Sequence, residues 1–314
     1  MKLWLILLII LLSVIAVVLA ISYLCFRLAF YVNNRQKQHE EFEIPPGKAY
    51  LPYKEQMISL MKETAKIPYE QVEIKSFDGL TLRGKYYEIQ KGAPVEIMFH
   101  GYRGTSERDL CGGVQRCFKL GRNTILVDQR GQGKSEGRVI TFGAKEKYDA
   151  VSWANYAAER FGKDVKLLLT GISMGASTVL MASELELPET VKTILGDCGY
   201  TSAEEIIKKV LKVMHLPPLI FMPFIKLGAR LFGGFSLKDA NAKEALKNSR
   251  LPVLFIHGKE DKFVPFYMSE ENYKACGKEK KLIAIDGAEH GLSYLVAPEQ
   301  YFNSLKEFEK SIGI

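Results

Sequence analysis

The chain of 314 residues lacks the sequence signatures of the common metal and nucleotide sites. It contains no His-Glu-x-x-His, and its five cysteines show no Cys-x-x-Cys spacing, so a zinc site is not predicted. The Gly-Lys-Ser at 133–135 does not belong to a phosphate-binding loop, because Asp128 stands where such a loop needs its first glycine. No basic motif interleaved with aromatics indicates a nucleic-acid partner. The sequence therefore predicts no metal, no other cofactor and no nucleic acid.

The cysteines give no sign of a disulfide framework either. Cys111 and Cys117 fall six residues apart on one predicted helix at 108–120, where a disulfide bond has poor geometry. We therefore expect free thiols. Cys198 is interpreted as a small buried apolar residue rather than a nucleophile.

A serine stands at the apex of a predicted strand, turn and helix. The pentapeptide Gly-Ile-Ser-Met-Gly at 171–175 follows an apolar run at 165–170 and precedes a helix-forming stretch at 176–184. A serine hydroxyl is a weak nucleophile, and such a turn holds it exposed where a base can take its proton. Glycines on both sides let the strand and helix backbones approach closely. The pattern predicts that Ser173 is a catalytic nucleophile.

Two further side chains occur in the chain order that such a turn predicts. Asp261 lies on a loop after the apolar run at 252–256, and His290 follows another run at 281–285. Histidine exchanges protons near neutral pH, and an aspartate on its other nitrogen fixes the tautomer. We predict that His290 is the base and that Asp261 orients it. Asp197, which also ends a predicted strand, is the alternative acid.

A loop upstream of the serine completes the pattern. A predicted strand runs into His-Gly-Tyr-Arg-Gly at 100–104, which resembles the loop that supplies an oxyanion-hole amide in α/β-hydrolases. The chain is similar to serine α/β-hydrolases over about residues 70–312, and resembles in particular the bacterial membrane-anchored, cell-surface hydrolases. The resemblance implies that the backbone N–H groups of Tyr102 and Met174 bind the oxyanion. His100 is interpreted as a structural residue beneath the loop.

The hydrophobic pattern predicts an α/β protein. Eight segments are predicted strands, at 71–76, 80–89, 95–99, 123–128, 165–170, 191–196, 252–256 and 281–285. Helices are predicted at 54–66, 108–120, 143–161, 176–184, 267–276 and 298–311. The alternation indicates a mostly parallel eight-stranded sheet with helices on both faces. Its first two strands are predicted to form an antiparallel hairpin that turns at 77–79.

The N-terminal segment has the composition of a membrane span. Residues 3–26 are almost wholly apolar, interrupted by Ser13 and Ser22, and a helix needs about 20 such residues to cross a bilayer. A signal sequence cleaved after 18–20 is the alternative, but the apolar stretch continues beyond that point. The sequence favours an uncleaved single-pass anchor. More basic residues follow the span than precede it, which favours a cytoplasmic catalytic domain, yet the membrane side stays open.

These features divide the chain into three parts. Residues 1–32 are the predicted anchor and its flank, 33–69 a linker with a short helix, and 70–314 the hydrolase domain. An insertion at about 201–250, between the sixth and seventh strands, interrupts the alternation and is rich in Met, Phe and Leu. It carries nine basic and four acidic residues, a net charge of +5, whereas the whole chain carries +7. We predict a small helical lid there, an apolar roof over Ser173 that also faces the membrane.

The predicted activity is hydrolysis of esters or thioesters of a hydrophobic acyl group through an acyl-enzyme on Ser173. Cleavage of amide bonds by the same residues, as in a serine aminopeptidase, is the first alternative. Acyl transfer to an acceptor other than water is a further variant. A tethered binding module without catalysis is the alternative from another class, because one fold hosts many functions.

Overall fold

The computed structural model describes residues 2–33 and 42–314, so the part of the predicted linker at 34–41 lies outside the described residues. The strands are β1 (Glu70–Lys75), β2 (Thr81–Tyr87), β3 (Val95–Phe99), β4 (Asn123–Asp128), β5 (Leu167–Ile172), β6 (Val191–Asp197), β7 (Val253–Gly258) and β8 (Lys280–Ile285). The helices are α1 (Leu3–Ala29), α2 (Lys54–Ala65), α3 (Ser106–Asp109), α4 (Gly113–Lys119), α5 (Glu146–Phe161), α6 (Met174–Ala182), α7 (Ala203–Val213), α8 (Pro218–Gly233), α9 (Ala242–Lys247), α10 (Tyr267–Ala275), α11 (Ser293–Val296) and α12 (Pro298–Ser311). Two 3₁₀ helices lie at Lys48–Tyr53 and Leu237–Asp239.

The eight strands form one sheet in the order β1-β2-β4-β3-β5-β6-β7-β8. β1 and β2 form an antiparallel hairpin and β2 is antiparallel to β4, while all other neighbours are parallel. Every residue of β3 and β7 is buried, which explains why these strands are almost continuously apolar rather than alternating. The predicted α/β-hydrolase fold is confirmed, including the mostly parallel sheet and the hairpin at its start.

The parallel arrangement brings several loops to one edge of the sheet. The carboxyl ends of parallel strands meet at the same edge, and in open α/β sheets ligands bind outside those ends. The loop at 100–104 follows β3, Ser173 follows β5, Asp261 follows β7 and His290 follows β8. Residues far apart in sequence therefore converge at this edge.

The predicted helix at 108–120 is interrupted. The structure forms α3 and α4 instead, with Cys111 in the break between them and Cys117 on α4. Gly112 has φ of +81°, a left-handed conformation that ends one helix and that glycine adopts without steric cost. The two cysteines are therefore not on one helix. All five cysteines are free thiols in the structure, as predicted.

The first half of helix α1 extends away from the domain, and its second half packs against the domain. Phe26 and Phe30 are buried, and Phe30 makes edge-on ring contacts with Phe142 and Phe235 at centroid distances of 5.7 and 5.2 Å. After the helix, the Val32 amide donates to the Arg138 carbonyl at 2.9 Å. Among the described residues, α1 alone is long and apolar enough to cross a membrane, a property that a signal sequence shares.

The 201–250 insertion is helical, as predicted, and its longest helix packs against α1. The two helices approach closely at Gly228, where a Cβ atom would clash with the Ser22 carbonyl. Tyr23 and Phe26 contact Phe232 of α8 at centroid distances of 5.1 and 6.0 Å. Small residues at such a crossing permit close packing of helix backbones.

Candidate active site

Ser173 occupies a strained turn between β5 and α6. Its φ of 56° and ψ of −115° are unusual for a residue with a side chain, and such outliers cluster at functional sites. The turn requires glycine on both sides, because a Cβ atom at 171 would clash with the Gly175 backbone and one at 175 with the Phe99 carbonyl. The pentapeptide thus forms the predicted tight turn with the hydroxyl at its apex.

The three side chains singled out by the sequence lie within hydrogen-bond distance of one another. His290 Nε2 is 2.9 Å from Ser173 Oγ, and His290 Nδ1 is 2.6 Å from Asp261 Oδ2. Because a carboxylate only accepts, Nδ1 donates to Asp261, and this leaves the Nε2 lone pair facing the serine hydroxyl. This is the arrangement in which an imidazole can take a proton from a serine.

The loop after β7 holds Asp261 in the ionised state. Its Oδ1 accepts hydrogen bonds from the backbone N–H groups of Phe263 and Val264, at 2.9 and 2.8 Å. Burial alone would raise the pKa of Asp261, but His290 and a hydrogen bond from His257 outweigh it and lower the pKa to about 2. The carboxylate is therefore charged across the neutral range and can stabilise an imidazolium at His290.

Asp197, the alternative acid, lies at the end of β6 with different partners. Its Oδ1 accepts a hydrogen bond from Ser293 Oγ at 3.0 Å, whereas Asp261 holds the ring nitrogen of His290. Burial raises the pKa of Asp197 to about 6, and hydrogen bonds from Ser293 and Tyr301 oppose that rise. The structure therefore brings Asp261, and not Asp197, into hydrogen-bond contact with His290.

His257 is a residue that the sequence reasoning left without a role. It is fully buried on β7, and its Nε2 donates to Asp261 Oδ2 at 3.1 Å and to the Val264 carbonyl at 2.9 Å. Its Nδ1 lies 2.6 Å from Ser269 Oγ, which donates to it because Nε2 carries the ring proton. His257 therefore shares the carboxylate oxygen that contacts His290. The His-Gly-x-x-Asp spacing at 257–261 was the available signal.

The loop after β3 lies beside the serine. A Cβ atom at Gly101 would be 3.6 Å from Ser173 Cβ, and the Gly101 amide donates to Asp109 Oδ2 at 3.1 Å. The loop also contacts helix α1, since Tyr102 Oη donates to the Ala29 carbonyl at 2.7 Å. His100 is buried and bonded to backbone groups at both ring nitrogens, as expected of a structural histidine. That Tyr102 and Met174 bind an oxyanion stays a prediction.

A cavity of about 530 Å³ opens at Ser173 and His290. This volume is within the range of about 300–1,000 Å³ typical of small-molecule sites. Most of its wall is apolar, formed by Met57, Met98, Leu110, Ile172, Phe263 and Leu295. The cavity suits a hydrophobic group bonded to a carbonyl near Ser173.

The roof of this cavity differs from the expected lid. Val213 is the one residue of 201–250 that lines the cavity, because α8 packs against α1 instead. The cavity is lined instead by part of the segment predicted as a linker, namely Pro45, Pro46, Ala49 and Tyr50. Tyr50 is close enough to the acids that burial, and then Cys198, Asp109 and Asp261, raise the pKa of its phenol. The Pro-Pro-Gly composition indicated a linker and carried no signal of this contact.

One cluster at the site has the residue types of a metal site. The ligand atoms of Cys198, Asp261 and His290 lie within 4.8 Å of one another. Metal binding would require a Cys198 thiolate, but burial raises the pKa of this thiol well above its ordinary value. It would also break the hydrogen bond between Asp261 and His290. The cluster therefore fits proton transfer better than metal binding.

Comparisons with known proteins agree with the observed fold. A family model described as the alpha/beta hydrolase fold matches residues 96–244. The esterase Pf2001 of Pyrococcus furiosus superposes with a TM-score of 0.64 at 21% identity, covering 87% of this chain and 98% of the esterase. These comparisons show that the chain has the α/β-hydrolase fold.

Two curated proteins are similar to part of the chain in sequence. Protein YqkD of Bacillus subtilis (strain 168) is 26% identical over 190 residues, which cover 60% of this chain and 62% of YqkD. Thiohydrolase aneE of Aspergillus aculeatus is 27% identical over 158 residues, covering 48% of this chain and 49% of aneE. The chain therefore matches about three fifths of the length of the first relative and half of the second.

Proposed function

We propose that this protein is a membrane-anchored serine hydrolase that cleaves ester or thioester bonds of a hydrophobic acyl substrate. The observation that carries the proposal is the chain of two short hydrogen bonds from Asp261 through His290 to Ser173. The strained turn at Ser173 supports it, because strain of this kind is retained where function requires the exposed hydroxyl. The similarity to a thiohydrolase favours a thioester among the possible substrates.

The residues act in a defined order. His290 Nε2 takes the Ser173 proton while Oγ attacks the acyl carbonyl, and the N–H groups of Tyr102 and Met174 stabilise the resulting oxyanion. The imidazolium is stabilised by Asp261 and returns its proton to the departing alcohol or thiol, which leaves an acyl-enzyme. His290 then takes a proton from water as the water attacks the acyl-enzyme, and it gives that proton to Ser173 Oγ as the acid leaves.

The substrate class follows from the cavity and from α1. A mostly apolar wall favours an alkyl or aryl acyl group. A span-length apolar helix would keep the enzyme at a membrane, where hydrophobic acyl compounds concentrate. Two of the acids that line the cavity already have partners, since Asp109 pairs with Arg108 and Asp197 accepts from Ser293. The mostly apolar wall therefore favours ester or thioester cleavage over aminopeptidase activity.

The test is replacement of the nucleophile in the full chain in detergent. Ser173→Ala should abolish both p-nitrophenyl butyrate turnover and labelling by a fluorophosphonate probe, because no oxygen remains to attack either reagent. Ser152→Ala is the control, since that hydroxyl bonds the Tyr148 carbonyl away from the cavity and should keep full labelling. Persistent labelling of Ser173→Ala would contradict the assignment. A folded wild-type protein that no probe labels would instead indicate a binding module.

A further inference from the structure

The exposed length of α1 is shorter than a bilayer. Residues 3–17 stand clear of the domain, and burial against it begins at residue 18 and includes Ser22 and Phe26. Fifteen residues of helix span about 22 Å at 1.5 Å per residue, whereas a bilayer hydrocarbon core is about 30 Å thick. Roughly five more residues must lie inside the hydrocarbon. Whatever packs beside residues 18–22 is therefore carried to the membrane as well.

Helix α8 is the element that packs there. Gly228 faces Ser22, Phe232 contacts Phe26, and Phe235 contacts Phe30, so residue numbers rise together and the helices run parallel. Because the helices run parallel, α8 before Gly228 extends toward the exposed N-terminal half of α1. The start of α8 is thus on the membrane side of the domain.

The surface of this region is apolar and exposed. We define the α7–α8 corner as residues 213–225, which contain His215 as their one ionisable residue. Leu219 is 90% exposed and Ile220 57% exposed, and the Val213 and Met214 side chains are 61% exposed each. Large apolar side chains grouped so closely are unusual on a water-exposed surface and mark interaction sites.

The charges around the corner complement anionic lipid. Five basic residues lie on α7 and α8, namely Lys208, Lys209, Lys212, Lys226 and Arg230. Lys208 pairs with Glu205 and Lys226 with Glu204, each at 2.7 Å, while the other three form no salt bridge with a described residue. A Lys or Arg near an anionic membrane surface strengthens binding to that surface. An apolar tip with basic flanks matches the depth profile of a bilayer interface.

The corner also reaches the candidate active site. Val213 is exposed at the corner and lines the cavity, and Tyr102, which also lines it, bonds the last turn of α1. We propose that the α7–α8 corner inserts into the leaflet that holds the C-terminal half of α1, and that the cavity takes its acyl substrate directly from that leaflet. This inference rests on the proposed hydrolase function and specifies its substrate as a membrane-resident acyl lipid.

Insertion is tested by fluorescence of the full chain in anionic vesicles. In a Trp4→Phe background, Leu219→Trp and Ile220→Trp are compared in vesicles with and without lipids brominated in the acyl chains. Trp153 is fully buried and gives a constant signal. Both variants should be quenched by bromine and emit at shorter wavelength. The control Ile89→Trp, 44% exposed at the opposite edge of the sheet, should not be quenched. Unquenched emission from both corner variants in vesicle-bound protein would overturn the inference and leave the corner to solvent or a protein partner.

Substrate uptake is tested separately. The double variant Leu219→Asp/Ile220→Asp should lower turnover of a long-chain ester embedded in vesicles by about tenfold, because carboxylates resist insertion. Its turnover of p-nitrophenyl butyrate in detergent should equal that of the wild type, since neither residue lines the cavity. Equal turnover of the embedded ester by both proteins would overturn the inference. If the wild type turns over neither ester, the proposed function is refuted. The quenching experiment still tests insertion of the α7–α8 corner in that case.

Discussion

At the scale of single residues, two buried acids at neighbouring strand ends have opposite electrostatic environments. Asp261 accepts from backbone and imidazole N–H groups, and against the effect of burial His290 and His257 lower its pKa to about 2. Asp197 is buried with hydroxyl partners, and burial raises its pKa to about 6. Environments that separate the pKa values of two acids assign them different roles.

This difference predicts the catalytic effect of neutralising each acid. Asp261→Asn should lower kcat by about 10⁴-fold, because an amide can hold His290 in the wrong tautomer. Asp197→Asn should keep kcat within about tenfold of the wild type, since that side chain does not contact the imidazole and the change amounts to less than about 1.4 kcal/mol. Steady-state kinetics with p-nitrophenyl butyrate measure both, and Tm in detergent controls for folding. Similar losses in the two variants would contradict the assignment.

The raised pKa of Asp197 also predicts a pH dependence of stability. In the unfolded chain an aspartate has a pKa of about 3.9, so between pH 4 and 6 it loses a proton that the folded protein keeps. The unfolded state is thereby favoured as pH rises through this window, by up to about 3 kcal/mol, and no further change follows above it. Asp197→Asn should remove this loss of stability. The change in Tm from pH 4.5 to pH 7 should therefore be more favourable in this variant than in the wild type. A parallel change of Tm in both proteins would show that Asp197 ionises normally.

At the scale of elements, periodicity and flanking turns were sufficient for the sheet. Each predicted strand overlaps an observed one, because buried parallel strands are short apolar runs bounded by turn residues. The helix predicted at 108–120 was wrong in its middle, since its hydrophobic pattern continues through Gly112 and only the left-handed backbone there separates α3 from α4. The pairing of α8 with α1 had no sequence signal, because apolar helices of this kind can pack on many surfaces.

The close crossing of α1 and α8 gives a prediction for Gly228. Gly228→Val should lower the free energy of unfolding by about 1–3 kcal/mol, because the new Cβ meets the Ser22 carbonyl and the helices must separate. Leu231→Val on the same helix is the control, since that side chain is 53% exposed and should change stability little. Thermal unfolding in detergent measures both. A Tm of Gly228→Val equal to that of the control would show that the helices do not depend on this contact.

At the scale of the whole molecule, the N-terminal helix is part of the folded domain as well as a candidate anchor. Phe26 and Phe30 are buried in its core, and Tyr102 beside the candidate site bonds the Ala29 carbonyl. Composition predicted boundaries at residues 32 and 69. Residues before each of these boundaries nevertheless pack against the rest of the domain. Residues 45–57 close the cavity on one side although they were predicted to be linker and helix.

Two truncations separate anchoring from packing. A chain that begins at residue 18 should keep the Tm of the full protein in detergent, because the buried half of α1 remains. A chain that begins at residue 42 should lose at least about 3–5 kcal/mol of unfolding free energy, the typical cost of removing one buried phenylalanine. Thermal unfolding and p-nitrophenyl butyrate turnover measure both effects. Equal Tm values for the two truncated chains would show that the packing of α1 is dispensable.

The sequence alone was enough for the α/β class, the eight strands, the turn at Ser173 and the chain order of the candidate site residues, because these depend on local patterns of a few residues. Only the tertiary structure decided which acid contacts His290, that His257 shares that acid, that residues 45–57 roof the cavity and that α8 lies along α1. Those contacts join segments far apart in the chain. Their distances depend on how the packed elements meet, which no local pattern encodes.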